Sequence, residues 1–342
     1  MTMRRWIKRP EGSNWGDFGA DDQVGRLNLI TRERRLAAVR EVRHGRAFAL
    51  SLPLDLPGEG IQPPYRRPPR LDAPIGRNVP LADVFKVAGA VDVGNDDCVT
   101  LHLQYSTQWD SLAHVGAMFD ADDDGVAEKI FYNGHRVEFP ATGMPADSGV
   151  PGAASLGIEN LAMTCVQGRG VLVNLFKAFG DTKTLVNYDR LMAVLSDQRI
   201  EVEPGDLLCL YTGYGDALVA MKHQPDVDRL ERTYADLDGN DLRLLQWITD
   251  SGVAAICADN GSVEAKPEGH ATGHAHCEAG SAFLPLHHHC LFKLGMPLGE
   301  LWYFTELAEW LDAAQRSRFL LTAPPLRLPG AVGSPLMPVG TV

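Results

Sequence analysis

Val171-Leu-Val-Asn-Leu-Phe176, Leu207-Leu-Cys-Leu-Tyr-Thr212 and Val253-Ala-Ala-Ile-Cys257 are short apolar runs of strand length. Helical patterns lie between them at about 187–198 and 240–250, the second opened by the capping pair Asn240-Asp241. Pro204-Gly205-Asp206 makes a tight turn into the middle run. Strands alternating with helices predict an α/β layered domain. No repeat or low-complexity linker divides the sequence, so residues 1–342 are expected to form one domain. Toward the N terminus, Thr31 is placed to cap a helix reaching about Val42, and Phe48 to Leu54 reads as a strand. Residues 57–80 hold seven prolines and four arginines, which predicts an extended arm or surface loop.

Chemistry concentrates in Leu101-His-Leu-Gln-Tyr-Ser-Thr-Gln-Trp-Asp-Ser-Leu-Ala-His114. Read as a strand, this stretch puts Gln104, Ser106, Gln108 and Asp110 on one face and Trp109 on the other, with His114 one short turn later. Such a row of oxygen and nitrogen atoms is either a solvated face or a metal or acid/base site. Farther on, Glu300 sits between Gly299 and the apolar Leu301-Trp302-Tyr303, so its carboxylate is expected to be partly buried. Burial of that charge requires a partner: a metal shared with one of His287, His288 and His289, or a salt bridge. His270, His274 and His276 lie in a glycine-rich loop that either chelates a metal or forms a flap. The acidic turn Asp120-Ala-Asp-Asp-Asp-Gly125 lacks the bidentate glutamate of a calcium loop.

The 342-residue chain is 45% hydrophobic and 22% charged, ordinary globular values. A net charge of −12 argues against nucleic acid or an anionic membrane as partner. No run of apolar residues is long enough to span a bilayer, and the basic start lacks the apolar core of a secretory signal. The six cysteines are scattered without a CxxC pair, so a cytoplasmic protein with reduced thiols is expected.

The chain resembles the cyclase family of metal-dependent hydrolases, which includes bacterial kynurenine formamidase and isatin hydrolase, and within it the longer members. The resemblance rests on Asn14-Trp-Gly16, Gly25-Arg-Leu-Asn-Leu29, Gln108-Trp-Asp-Ser-Leu-Ala-His114, Tyr132-Asn-Gly134, Arg169-Gly-Val-Leu-Val173, Ala258-Asp-Asn260 to Val263-Glu264, Pro285 to Glu300, and Gly333-Ser-Pro335. It implies a swivelling β/β/α fold with a mixed sheet and flanking helices. The family signature is His-x-Gly-Thr-His-x-Asp with a histidine four residues later, and a later histidine and glutamate complete the metal sites. By that resemblance Asp110, His289 (or His288) and Glu300 are metal ligands and His114 is the trailing histidine. Both leading histidines are replaced here, by Gln104 and Gln108, and the glycine by Ser106.

Glutamine is a much poorer zinc ligand than imidazole. Three arrangements follow: one divalent metal, zinc or manganese, on Asp110, His289 and Glu300; a harder ion that also takes the amide oxygens; or no metal, with the glutamines bonding a substrate carbonyl. The function expected is hydrolysis of an amide, lactone or cyclic amide of a small molecule by metal-activated water. In it His114 is the acid/base, and Gln104, Gln108 and Trp109 shape the pocket. The alternatives are a metal-independent cyclase or dehydratase using His114 and Asp110, or a non-catalytic small-molecule binder. Arg66, Arg67 and Arg70 either meet a substrate carboxylate or are solvated. The resemblance implies a homo-dimer or homo-tetramer.

Overall fold

The computed structural model describes residues 4–138, 152–267, 277 and 280–342. Nine strands form one mixed sheet: β1 (Ala47–Ala49), β2 (Gln108–Asp110), β3 (Gln167–Asn174), β4 (Leu207–Tyr211), β5 (Ala255–Ala258), β6 (Leu298–Glu300), β7 (Arg318–Thr322), β8 (Gly333–Pro335) and β9 (Val339–Thr341). Their order across the sheet is β1-β9-β7-β3-β4-β5-β6-β2-β8. The central four, β3 to β6, run parallel, and antiparallel strands extend the sheet on both sides. The three apolar runs supply β3, β4 and β5, whose interiors are buried on both faces as a helix-covered parallel sheet requires.

Helices α1 (Arg32–Val39), α2 (Tyr188–Asp197), α3 (Tyr214–Met221), α4 (Leu242–Ser251) and α5 (Thr305–Ala313) accompany this sheet. Thr31 caps α1 by accepting from the Arg34 amide, and Asp241 caps α4 by accepting from the Arg243 amide. Two apolar layers result. One holds Leu208, Leu210, Ile256, Leu298, Leu191, Leu244 and Ile248; the other holds Leu207, Cys209, Trp109, Trp302, Leu307 and Phe319.

Two predicted strands are shorter than their sequence pattern. Only Gln108–Asp110 of the polar stretch is a strand, and of the expected Phe48 to Leu54 only Phe48 and Ala49 fall in a strand, Ala47–Ala49. Residues 101–107 turn instead, and from Glu59 to Gln104 no residue is buried. Without a buried face, alternation there has nothing to pack against. Short hairpins pair Arg70–Asp72 with Cys98–Thr100, and Val79–Pro80 with Val93–Gly94.

The site is positioned by register. Glu300 on β6 lies opposite Gln108 on β2, and Asp110 lies opposite Gly333 on β8. Gln108 and Asp110 therefore share a sheet face, and Trp109 enters the opposite layer. A turn from Pro285 to Lys293, wound in its second half with the wider π spacing, carries the consecutive histidines. The N-terminal segment fastens it: Asn14 Nδ2 donates to the Leu294 carbonyl (2.8 Å) and Trp15 Nε1 to the Phe292 carbonyl (2.8 Å). No helix among the described residues is long and apolar enough to cross a membrane.

Candidate metal centre

Asp110, His287 and Glu300 converge in the interior, each offering a ligand atom within 4.8 Å of the others. His287 Nε2 is 3.1 Å from Glu300 Oε1 and 3.9 Å from Asp110 Oδ2. Its other nitrogen, Nδ1, is 2.7 Å from Glu264 Oε1. Glu264 also accepts from the backbone amides of Leu286 (2.9 Å) and His287 (2.8 Å), so its carboxylate fixes the ring from behind. A Cβ on Gly239 would stand 2.1 Å from Glu264 Oε2; the glycine leaves that carboxylate its room.

Gln108 donates from Nε2 to Glu300 Oε2 at 2.7 Å. Reversing the amide would set oxygen against oxygen, so this orientation is chemically determined. It leaves Gln108 Oε1 buried without a donor, and both oxygens of Asp110 share that condition. Gln104 lies over Gly333, where a Cβ would be 2.4 Å from its Nε2. His114 Nε2 is 3.7 Å from Asp110 Oδ1, and its side chain is 21% exposed while that of Asp110 is fully buried.

Electrostatics follow from this packing. Burial raises the Asp110 pKa; His114 opposes the rise and Glu300 adds to it. For His287 burial acts downward, but its bonds to Glu264 and Glu300 outweigh it and push the ring up to about 10. Burial also acts to raise Glu300, and its bond to His287 reverses that, so its pKa is lowered. Three orphaned buried oxygens, two on Asp110 and one on Gln108, beside the Glu300 carboxylate and the His287 imidazole fit a divalent cation.

The His287 proton makes a testable contribution to the metal-free fold. A group whose pKa rises on folding, here from an ordinary value near 6.5 to about 10, stabilises the fold fully below about pH 6.5. That stabilisation is lost as pH rises toward 10. The melting temperature of chelator-treated protein is therefore expected to fall between pH 6.5 and 9.5, more steeply than in His287→Gln. Parallel pH profiles for the two proteins would contradict a buried charged imidazole.

Of the residues expected at the site, the structure brings together Asp110, Glu300, Gln108, Gln104 and His114. His289 is a correction. Its Nε2 is 2.8 Å from Thr249 Oγ1 on α4, and burial, with Lys293 and Arg26 nearby, lowers its pKa to about 4. His288 faces the Phe292 ring, centroids 4.9 Å apart. Successive residues of a helical turn project in different directions, so only one of three adjacent histidines can reach the pocket. Trp109 is the second correction: it is fully buried, donates from Nε1 to the Ala323 carbonyl (2.8 Å) and packs edge-on against Trp302.

Arg70 is held by Asp72, and only the Arg67 backbone is engaged, with His102. Arg66 alone of the three reaches the site's rim, donating to the Gln104 carbonyl at 3.2 Å. His270, His274 and His276 lie outside the described residues. Glu264 is the site residue that sequence reasoning misses; its one signal is a lone carboxylate in the Val263-Glu264 block.

The antiparallel margin of the sheet, with its buried carboxylates and histidine turn, places the chain in a defined group of α/β proteins. It belongs to the family described as "Putative cyclase", whose model matches residues 49–265. A crystal structure of a novel cyclase is 30% identical and superposes with a TM-score of 0.76, covering 97% of this chain and all of the other. Isatin hydrolase A from Ralstonia solanacearum, 14% identical, shares the fold at a TM-score of 0.55 over 91% of this chain and 97% of its own. An isatin hydrolase bound to the product analogue thioisatinate, 13% identical, gives 0.53 over 91% and 99%. Among curated proteins, none matches this chain.

Proposed function

We propose that this chain is a metal-dependent hydrolase acting on an amide, lactone or cyclic amide of a small molecule. The observation that carries this reading is the set of buried acceptor oxygens without donors on Asp110 and Gln108, beside Glu300 and His287. Asp110, His287 and Glu300 would hold one divalent ion. The donor set is rich in oxygen, which favours manganese over zinc. When bound, the ion would polarise a carbonyl and lower the pKa of a water molecule.

The chain's own residues do the remaining work. Glu264 accepts the Nδ1 proton of His287 and so directs the Nε2 lone pair into the pocket. Gln108 holds Glu300 in place through its amide hydrogen. His114, the partly exposed member of the group, takes a proton from the attacking water and returns it to the leaving nitrogen or oxygen. Gln104, at the rim over Gly333, is placed to hydrogen-bond the substrate.

Elemental mass spectrometry of the purified protein, before and after chelator dialysis, tests the reading together with turnover of a cyclic amide such as isatin. About one equivalent of manganese or zinc per chain, and hydrolysis lost with the metal, is the expected result. Well-folded protein that takes up no divalent ion on titration would overturn it and favour metal-free acid/base chemistry by His114 and Asp110.

A further inference from the structure

Between β1 and β2 the chain forms a long arm. Its legs are fastened at the root. The Gly58 amide donates to Tyr105 Oη and Gln62 Nε2 to the Tyr105 carbonyl, each at 3.2 Å, and the Arg67 amide donates to His102 Nδ1 at 3.1 Å. Beyond the root, the two short hairpins give the arm a definite shape. Leu71 pairs with Val99 and Pro80 with Val93, and the Asn78 amide donates to Asn95 Oδ1 at 2.6 Å. Arg77 bridges Asp97, and a helical turn, Leu81–Phe85, follows the second hairpin's first strand.

This order has no core behind it. None of the 46 residues from Glu59 to Gln104 is buried, and a two-stranded hairpin alone is marginal in water. Of the 21 large apolar side chains exposed among the described residues, seven belong to this arm, although it is only 46 of 342 residues. Leu71 and Val99, opposite one another in the ladder, share one hairpin face. Phe85, Val87, Val91 and Val93 follow within nine residues of each other, Phe85 at 68% and Val91 at 91% exposure. Apolar surface concentrated in this way marks contact with another molecule.

Charge favours one occupant. Residues 59–104 hold five basic and six acidic side chains, so the rest of the chain carries −11 of the net charge of −12. A basic partner would be drawn to that acidic body rather than to the arm. A second copy of this chain is repelled by the body and can approach closely only through the arm, whose surface is apolar and nearly neutral. The arm is also large enough, since a stable interface takes about 20–30 residues a side. A two-fold contact sets the same patch of both copies to work, as a self-complementary apolar face allows. We propose that the arm docks on a second copy of this chain, each copy covering the other's Leu71–Val99 face and the apolar segment from Phe85 to Val93.

Sedimentation of the full chain at micromolar concentration tests this. The expected mass is at least twice the 37.3 kDa of one chain. Phe85→Glu and Val93→Glu together are expected to weaken association at least about 100-fold, and Phe85→Leu to keep most of it. Circular dichroism identifies a variant that misfolds. Hydrogen exchange of the wild-type protein supplies a reading that needs no variant. Peptides spanning 70–72 and 98–100 are expected to exchange at least about tenfold more slowly than an undocked hairpin would. A wild-type chain that sediments as a monomer would overturn the proposal and assign the arm to a different partner. An assembly indifferent to the paired glutamates, or an arm whose amides exchange freely within the assembly, would overturn it equally.

Discussion

Asp110→Asn is expected to weaken divalent-cation binding more than about 100-fold and yet to raise the melting temperature of the chelator-treated protein. The two effects have one cause. Asp110 is fully buried, and neither carboxylate oxygen receives a hydrogen bond. Two imidazoles stand beside it, His114 at 3.7 Å and His287 at 3.9 Å, too far to donate to it. Burial raises its pKa, which states that the ionised form is disfavoured in the fold. An amide of the same shape removes that penalty, on the order of 1–3 kcal/mol after relaxation of the surroundings. A divalent ion loses its anionic ligand in the same change, and loss of even an outer partner typically costs 10–100-fold. Thermal melts with and without chelator, beside a calorimetric titration with manganese, separate the two. A carboxylate kept for structure would behave oppositely: Asp110→Asn would destabilise the metal-free protein and leave cation binding intact.

The sequence made the carboxylates legible and left the histidine open, for a physical reason. Asp110 and Glu300 lie on strands, where two-residue alternation decides the face and the apolar neighbours Trp109 and Leu301 identify which face is core. That logic placed Gln108 beside Asp110 as well, and the register of β2 against β6 then set Gln108 on Glu300. His287, His288 and His289 lie on a helical turn whose rotation is decided by its partners. Thr249 claims His289, Phe292 claims His288 and Glu264 claims His287. None of these contacts leaves a periodic trace.

The α/β alternation was equally legible from β3, β4 and β5, because fully buried strands must be apolar throughout. Alternation over 101–104 misleads, since an unburied segment has no layer to enforce it, and Tyr105, Ser106 and Thr107 are buried in a turn rather than a strand.

His114→Ala is expected to lower turnover by about 10²–10⁴-fold while leaving the bound metal in place. His114 follows Asp110 by four residues, and its amide donates to the Ser111 carbonyl in the turn that ends β2. That turn brings the ring over the carboxylate but not into contact: at 3.7 Å, Nε2 stands beyond hydrogen-bond reach of Asp110 Oδ1. With its side chain 21% exposed, it is open to solvent beside an otherwise sealed group. A proton carrier needs both properties, proximity to the reacting water and an outlet to bulk. Truncation at a partly exposed position leaves little cavity, so the melting temperature should hardly move. Added imidazole should restore part of the lost rate, since it can enter the space and accept the same proton. If the metal departed together with activity, His114 would be a ligand; if turnover survived, the proton would travel by another route, and the solvent-linked position of this ring would have no catalytic meaning.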